Sequence, residues 1–406
     1  VRSWPSEALP PLPEFPVDLT AYDTATAQIR VLNPGPTARM YVCGITPYDA
    51  THIGHAATYV LFDTVHRFWR LTGHDVLYVQ NVTDIDDPLL ERAARDGVDW
   101  EKLAAFEIQR FRDDMVSLRV LPPTHLVGAV ETVDLAARRV AELRDAGAAY
   151  SVDDDLYFEA SAAARFGSVS HLAEPDMIEI SAQRGGDPQR AGKRSPVDPL
   201  LWQAPREGEP SWESVVGPGR PGWHIECASI ALEYLGPGFD LQGGGSDLIF
   251  PHHEMSAAQG EVLDGWPFAR NYVHGPMVAF EGEKMSKSLG NLVFVSTLRD
   301  SGVDPMAIRL ALLSQSYRED WSWSAELVSD AQRRLDAWRA ALSRPTGPAS
   351  RSTVDRLVAA IGDDLNTPAA LAVVDQWAQE QELRGGDDPA GPGLLSRAVD
   401  GFLGVV

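Results

Sequence analysis

Between residues 39 and 80 the sequence runs strand, glycine turn, helix, strand, and a chain built in that order has few ways to fold. Arg39–Cys43 reads as a strand and Gly44 as a turn. Ile53 to Leu71 reads as a helix, with Val60, Leu61, Val65, Phe68 and Trp69 at helical spacing. After Gly73, residues His74–Gln80 read as a second strand. This is the βαβ unit of a doubly wound parallel sheet. Helices are expected over Pro88–Arg95 and Trp100–Leu118. The pattern then lapses over 125–210. A helix (Ala129–Ala146), two short alternating segments (Ala149–Val152 and Leu156–Glu159) and a Gly/Asp/Arg-rich loop (Arg184–Pro199) read as an inserted α+β segment. It resumes with helix Trp223–Leu235, strand Phe239–Gln242, a turn at Gly243-Gly244-Gly245, helix Pro251–Leu263 and strand Asn271–His274. The expected divisions are an irregular, Pro-rich arm (1–38), α/β halves at 39–124 and 211–280, the insertion (125–210), a lysine loop and stem (281–320) and a wholly helical domain (321–406).

Composition narrows the function classes. With 44% hydrophobic and 23% charged residues the chain is of the globular type. No apolar run approaches the ~20 residues that cross a bilayer. Val1 to Pro16 lacks a basic-then-apolar signal pattern, so a cytoplasmic location and no membrane partner are expected. Two cysteines cannot make a disulfide framework, which leaves metal or redox chemistry for them. A net charge of −23 weighs against nucleic acid, whose phosphates are held by clustered Lys and Arg. Residues 321–406 carry 8 Arg, no Lys and 12 acidic residues, with no basic reading module. Nothing in the sequence bears on oligomeric state.

Three constellations carry chemistry. Thr51-His52-Ile53-Gly54-His55 falls where a βα turn meets a helix start, a place that attracts phosphate. Taken alone, a histidine pair capping a surface helix is as common an explanation. Lys284-Met285-Ser286-Lys287-Ser288 lies between glycines, and two lysines there could neutralise a departing pyrophosphate. A solvated lysine loop is its plain alternative. Cys43, Cys227 and the His252-His253 pair lack the local C-x-x-C spacing of a zinc site, and scattered cysteines are more often small core residues.

Together, and in this order, the first two motifs resemble the HIGH and KMSKS signatures of class I aminoacyl-tRNA synthetases, which implies a Rossmann-like catalytic domain. Five segments are similar to blocks of cysteinyl-tRNA synthetases, and the match spans Arg39 to Ala370. They are Tyr41–Asp49, Asn81–Asp87, Gly219–Cys227, Gly243–Asp247 and Asp363–Pro368. The resemblance implies one Zn²⁺ per chain on Cys43, Cys227 and His252, selecting a thiolate over a hydroxyl. It implies His52 and His55 on the phosphates of ATP, and Lys284 and Lys287 on pyrophosphate, with Mg²⁺. The amino-acid and adenylate site would draw on Cys43, Gly44, Ile45, Thr46, Asn81, Val82, Thr83, Trp223, Gly245, Ser246 and Asp247. Thr58 and Val278 are further nucleotide-pocket candidates for which packing is the alternative.

Three departures from the tRNA enzymes point elsewhere. Ser256 stands where they carry a fourth, acidic metal ligand, leaving a coordination position open for substrate sulfur. The stretch Arg184-Gly185-Gly186-Asp187-Pro188 is foreign to them, and the tail is short and acidic. These features, with the run Cys43–His52, are similar to a sister family, the mycothiol cysteine ligases. The resemblance implies ATP, L-cysteine and glucosaminyl-inositol as partners, and cysteine adenylation followed by transfer to an amine; that amine needs a base, for which Asp247 is the candidate, with ribose binding as its alternative role. A cysteinyl-tRNA synthetase with a reduced tail and a non-catalytic zinc- or cysteine-binding paralogue stay open. The residues that hold the sugar are not legible.

Overall fold

The protein was analysed as a computed structural model that describes residues 1–285 and 290–406, the Lys284 side chain excepted. The N-terminal arm is less irregular than expected. β1 (Leu19–Asp23) and β2 (Gln28–Leu32) pair as an antiparallel hairpin. Leu19, Ala21 and Asp23 alternate inward, and Asp23 accepts from Thr26 Oγ1 at 2.6 Å to close the turn. Five-residue strands among prolines give too short a period to stand out.

β3 (Thr37–Ile45), α1 (Ile53–Leu71) and β4 (Asp75–Val82) form the expected crossover, followed by α2 (Asp87–Asp96), α3 (Trp100–Ser117) and β5 (His125–Gly128). Met40, Tyr41 and Val42 are buried in succession, as in a parallel strand covered on both faces. The inserted region holds α4 (Val133–Asp145), β6 (Ala149–Val152), β7 (Asp155–Phe158), α5 (Glu174–Gln183), β8 (Leu200–Gln203) and β9 (Arg220–Pro221). Its four strands make an antiparallel sheet in the order β6-β7-β8-β9. Its borders differ from 125–210, because β5 pairs in the parallel sheet and β9 pairs with β8.

α6 (Trp223–Leu235), β10 (Leu241–Gly245), α7 (Glu254–Asp264) and β11 (Tyr272–Gly275) complete the α/β layer. The parallel sheet has the order β11-β10-β3-β4-β5. The chain leaves β3 toward β4 on one side and returns to β10 on the other. Such a reversal opens a crevice at the C-terminal strand ends, the usual ligand position in an open α/β sheet. Here those ends are Cys43–Ile45 and Gly243–Gly245.

Downstream come β12 (Val278–Phe280), β13 (Glu283–Lys284), α8 (Val295–Asp300), α9 (Pro305–Leu313) and β14 (Trp321–Trp323), with the small sheet ordered β13-β12-β14. The region 321–406 is therefore not wholly helical, since β14 pairs with β12 before α10 (Ala325–Leu342), α11 (Arg351–Gly362), α12 (Thr367–Leu383) and α13 (Gly391–Ala398). Among the described residues no helix is long and apolar enough to cross a membrane.

A buried ionic knot joins these layers. Asp63 on α1 accepts from Arg67 Nε at 2.7 Å and from Arg309 of α9. Its other oxygen takes the Leu121 N–H at 2.7 Å. Arg309, fully buried, also donates to the carbonyls of Leu118 at 2.7 Å and Leu403 at 2.6 Å.

Candidate active site

A cavity of 820 Å³ opens at the switch-point strand ends. Cys43, Gly44, Ile45, Thr46, His55, Thr58, Trp223, Gly245, Asp247 and Val278 all line it. Asn81, Val82 and Thr83 are not among the lining residues; Asn81 and Val82 adjoin Gly44 and Ile45, which are. Asn81 Oδ1 accepts from Gly44 N at 2.8 Å, and Asn81 Nδ2 donates to Thr83 Oγ1 at 3.0 Å. Val82 is paired with Ile45 inside the sheet and fully buried. A Cβ on residue 44 would stand 1.6 Å from the Asn81 carbonyl oxygen, so only glycine lets the strands run this close. Ser246 is likewise outside the lining, at the start of a single helical turn, Ser246–Leu248.

The two motifs near residues 52 and 284 meet through their flanks. His52 caps α1, and its Nδ1 accepts from His55 N at 3.4 Å while the two rings stack at 3.7 Å. Ile53 N donates to Val293 O at 2.9 Å, and Val295 N to Thr51 O at 3.0 Å. The Lys284 backbone pairs with Ala279, whereas its side chain and the whole of Lys287 lie outside the described residues.

Cys43 from β3, Cys227 from α6 and His252 from the turn before α7 converge. Their ligand atoms lie within 4.8 Å of one another and all three residues are buried. Two soft sulfurs and one imidazole, out of bulk water, suit a thiophilic divalent metal. Burial pushes the Cys43 thiol up. Burial also opposes ionisation of Cys227, but the neighbouring Cys43 and His252 outweigh it and hold that thiol well below its usual value. These surroundings favour the ionised form of Cys227, the form that binds metal. The Ser256 hydroxyl is committed to the His252 carbonyl at 2.8 Å, and Glu254 accepts from the N–H groups of Gly167, Val169 and Ser170. Neither is available as a fourth ligand.

Behind the three lies a set of polar groups that sequence reasoning missed. The Trp223 ring stacks on His252 at 4.4 Å, and His224 Nδ1 lies 3.0 Å from His252 Nδ1, a contact that leaves the other His252 nitrogen for a metal. Cys43 Sγ is 3.2 Å from His253 Nε2. His253 Nδ1 is 2.7 Å from His274 Nε2, and His274 Nδ1 is 2.7 Å from Thr24 Oγ1 in the β1–β2 turn. Burial holds both imidazoles neutral, with His274 pulled down to about 3. A neutral imidazole has one donor and one acceptor. The relay is therefore satisfied throughout if Thr24 donates to His274, His274 to His253, and His253 to the Cys43 sulfur. The doubled histidine was the one sequence signal for it; Thr24 had none. Replacing His253 with Ala should lower metal affinity about 10- to 100-fold, measured by competition with a chromogenic chelator. Unchanged affinity would reduce the relay to packing.

A parallel sheet with a switch-point cavity, a phosphate-type helix start pressed against the flank of a lysine segment, and a metal-competent floor define a protein of the class I synthetase type. The family described as tRNA synthetases class I (C) catalytic domain matches residues 30–333. The L-cysteine:1D-myo-inositol 2-amino-2-deoxy-alpha-D-glucopyranoside ligase of Streptomyces coelicolor is 58% identical over the full length of both chains, and that of Thermobispora bispora 56%. The Mycobacterium tuberculosis methionyl-tRNA synthetase bound to methionyl-adenylate shares the fold, with a TM-score of 0.65 at 17% identity over 90% of this chain and 89% of that one. The chain belongs to the ligase family of those Streptomyces and Thermobispora relatives, within the class I synthetases.

Proposed function

We propose that this chain joins L-cysteine to the amine of glucosaminyl-inositol at the expense of ATP, in mycothiol biosynthesis. The cysteine carboxylate attacks the α-phosphorus of ATP and pyrophosphate leaves. The acceptor nitrogen then attacks the adenylate carbonyl, AMP leaves, and the amine proton passes to a base. Likeness to full-length relatives bearing that ligase name supports this reading over a tRNA synthetase.

The observation that carries it is the buried Cys43, Cys227 and His252 group, of which Cys43 lines the cavity. These residues would hold Zn²⁺, which when bound supplies a soft Lewis acid for the substrate thiolate. Trp223 packs one ligand and walls the amino-acid end. His52 and His55 bind and orient the phosphates of ATP, which arrives with Mg²⁺, and Lys284 and Lys287 stabilise the leaving pyrophosphate. Asp247, a carboxylate on the cavity wall, is our candidate to take the amine proton. Need for both ATP and reduced cysteine fits a cytoplasmic setting.

The test separates the half-reactions. Purified protein should catalyse cysteine-dependent ATP–pyrophosphate exchange, with serine at least ~100-fold poorer because it cannot satisfy a metal built for sulfur. AMP release should then require glucosaminyl-inositol and ignore tRNA. No cysteine-dependent exchange, or acylation of tRNA in place of the amino sugar, would overturn the reading.

A further inference from the structure

The outer wall of the cavity carries none of the residues assigned above to activation of cysteine. At 820 Å³ the cavity stands high in the ~300–1,000 Å³ range of small-molecule sites. The floor is committed to the metal group, and the α1 start and β12 side to the nucleotide. What remains is the wall where α2 faces the inserted sheet and the loop after α5. We propose that this wall, across Glu91, Tyr157, Asp187, Arg190, Gln203 and Arg206, is the subsite for the polyhydroxylated inositol end of the acceptor. The proposal rests on the ligase reading above and extends it to the residues that choose the acceptor.

The chemistry of the wall fits a polyol. Sugar hydroxyls both donate and accept, and this surface interleaves carboxylates with guanidinium, amide and phenol groups. Its groups are also held in place, as a specificity site requires. Asp187 is fixed by Lys193 Nζ at 2.9 Å and by the Tyr157 hydroxyl. Arg190 donates to Asp155 at 2.6 Å and to Tyr157 Oη at 2.8 Å. The stretch Arg184-Gly185-Gly186-Asp187-Pro188, which the activation chemistry leaves without a role, builds this corner. Gly186 passes so close to α5 that a Cβ there would lie 2.3 Å from Ser181 Oγ and 2.8 Å from the Ser181 carbonyl oxygen. Arg184 donates to the carbonyls of Asp247 and Phe250, tying the loop to the strip that carries the candidate base and His252. Direction follows from geometry: the amine must reach the adenylate above the floor, so the distal ring of the acceptor points to the outer wall.

Two side chains on this wall can be removed at little structural cost. The Arg206 side chain is 50% exposed, and Glu91 is exposed. In Arg206→Ala and Glu91→Gln the KM for glucosaminyl-inositol should rise about tenfold or more, the scale of one lost charged hydrogen bond. Cysteine-dependent ATP–pyrophosphate exchange should stay within about twofold, since the acceptor takes no part in it. Free glucosamine, which lacks the inositol, should be the poorer acceptor for the unaltered enzyme, and the variants should lose that preference while using glucosamine as before. Unchanged KM values, or exchange falling in step with acceptor use, would overturn this subsite. Absence of exchange in the unaltered enzyme would instead overturn the ligase reading.

Discussion

Cys227→Ala is expected to abolish both bound metal and cysteine activation while leaving the fold intact. Cys227 is buried beside Cys43 and His252, and it is the sulfur whose ionised form the site favours. With it gone, two protein ligands remain where catalytic zinc ordinarily has three. Losing a group that only supports a metal ligand already costs 10- to 100-fold, so losing the ligand should reduce cysteine-dependent exchange by at least ~100-fold. Truncating a small side chain leaves only a modest cavity and about 1 kcal/mol of destabilisation. Elemental analysis should therefore find the variant folded and metal-free. Because ligand thiols release protons on binding, metal affinity in the unaltered chain should also rise with pH. Full metal content with undiminished exchange in the variant would end the ligand assignment.

A comparably large effect, on stability and not on chemistry, is expected from Asp63→Ala. This carboxylate sits between Arg67 and the fully buried Arg309, and its loss strands buried positive charge. Breaking one partner of such a group costs about 3–5 kcal/mol. The melting temperature should fall by roughly 3–6 °C in calorimetry. The sign with pH is fixed by the pKa shift. Burial alone would raise Asp63, but Arg67 and Arg309 outweigh it and hold the carboxyl below its usual value. Its contribution is thus complete above the ordinary Asp value of about 3.9 and lost as pH falls through the lower folded value. The difference between variant and unaltered chain should shrink only in that acid window. A variant melting within about 1 °C of the unaltered chain would mean that solvent or rearrangement compensates the arginines.

Much of the site was legible because its signals are local. The His52–His55 motif announces a helix start, and α1 begins at Ile53. Cys43 and Gly44 sit where a strand ends, and there they line the cavity. Other contacts were not legible, because a side chain's direction depends on more than its position. Thr83 follows the β4 strand end, and only the structure shows the Asn81 side chain donating to its hydroxyl. The β1–β2 hairpin was hidden because its strands are short, and Thr24 looked like any turn residue.

By itself the sequence determined the α/β crossover pattern and the start of α1 at its histidine motif, since periodicity and residue chemistry are properties of neighbours along the chain, whereas the candidate ligands Cys43, Cys227 and His252 came only through resemblance to a family. Only the tertiary structure decided that β10 returns beside β3, that Cys43, Cys227 and His252 meet there, and that Thr24 reaches Cys43 through two histidines. Those contacts join residues up to 250 positions apart. Strand order and burial bring such residues together, and no local pattern encodes which distant polar groups will share one dry, hydrogen-bonded space.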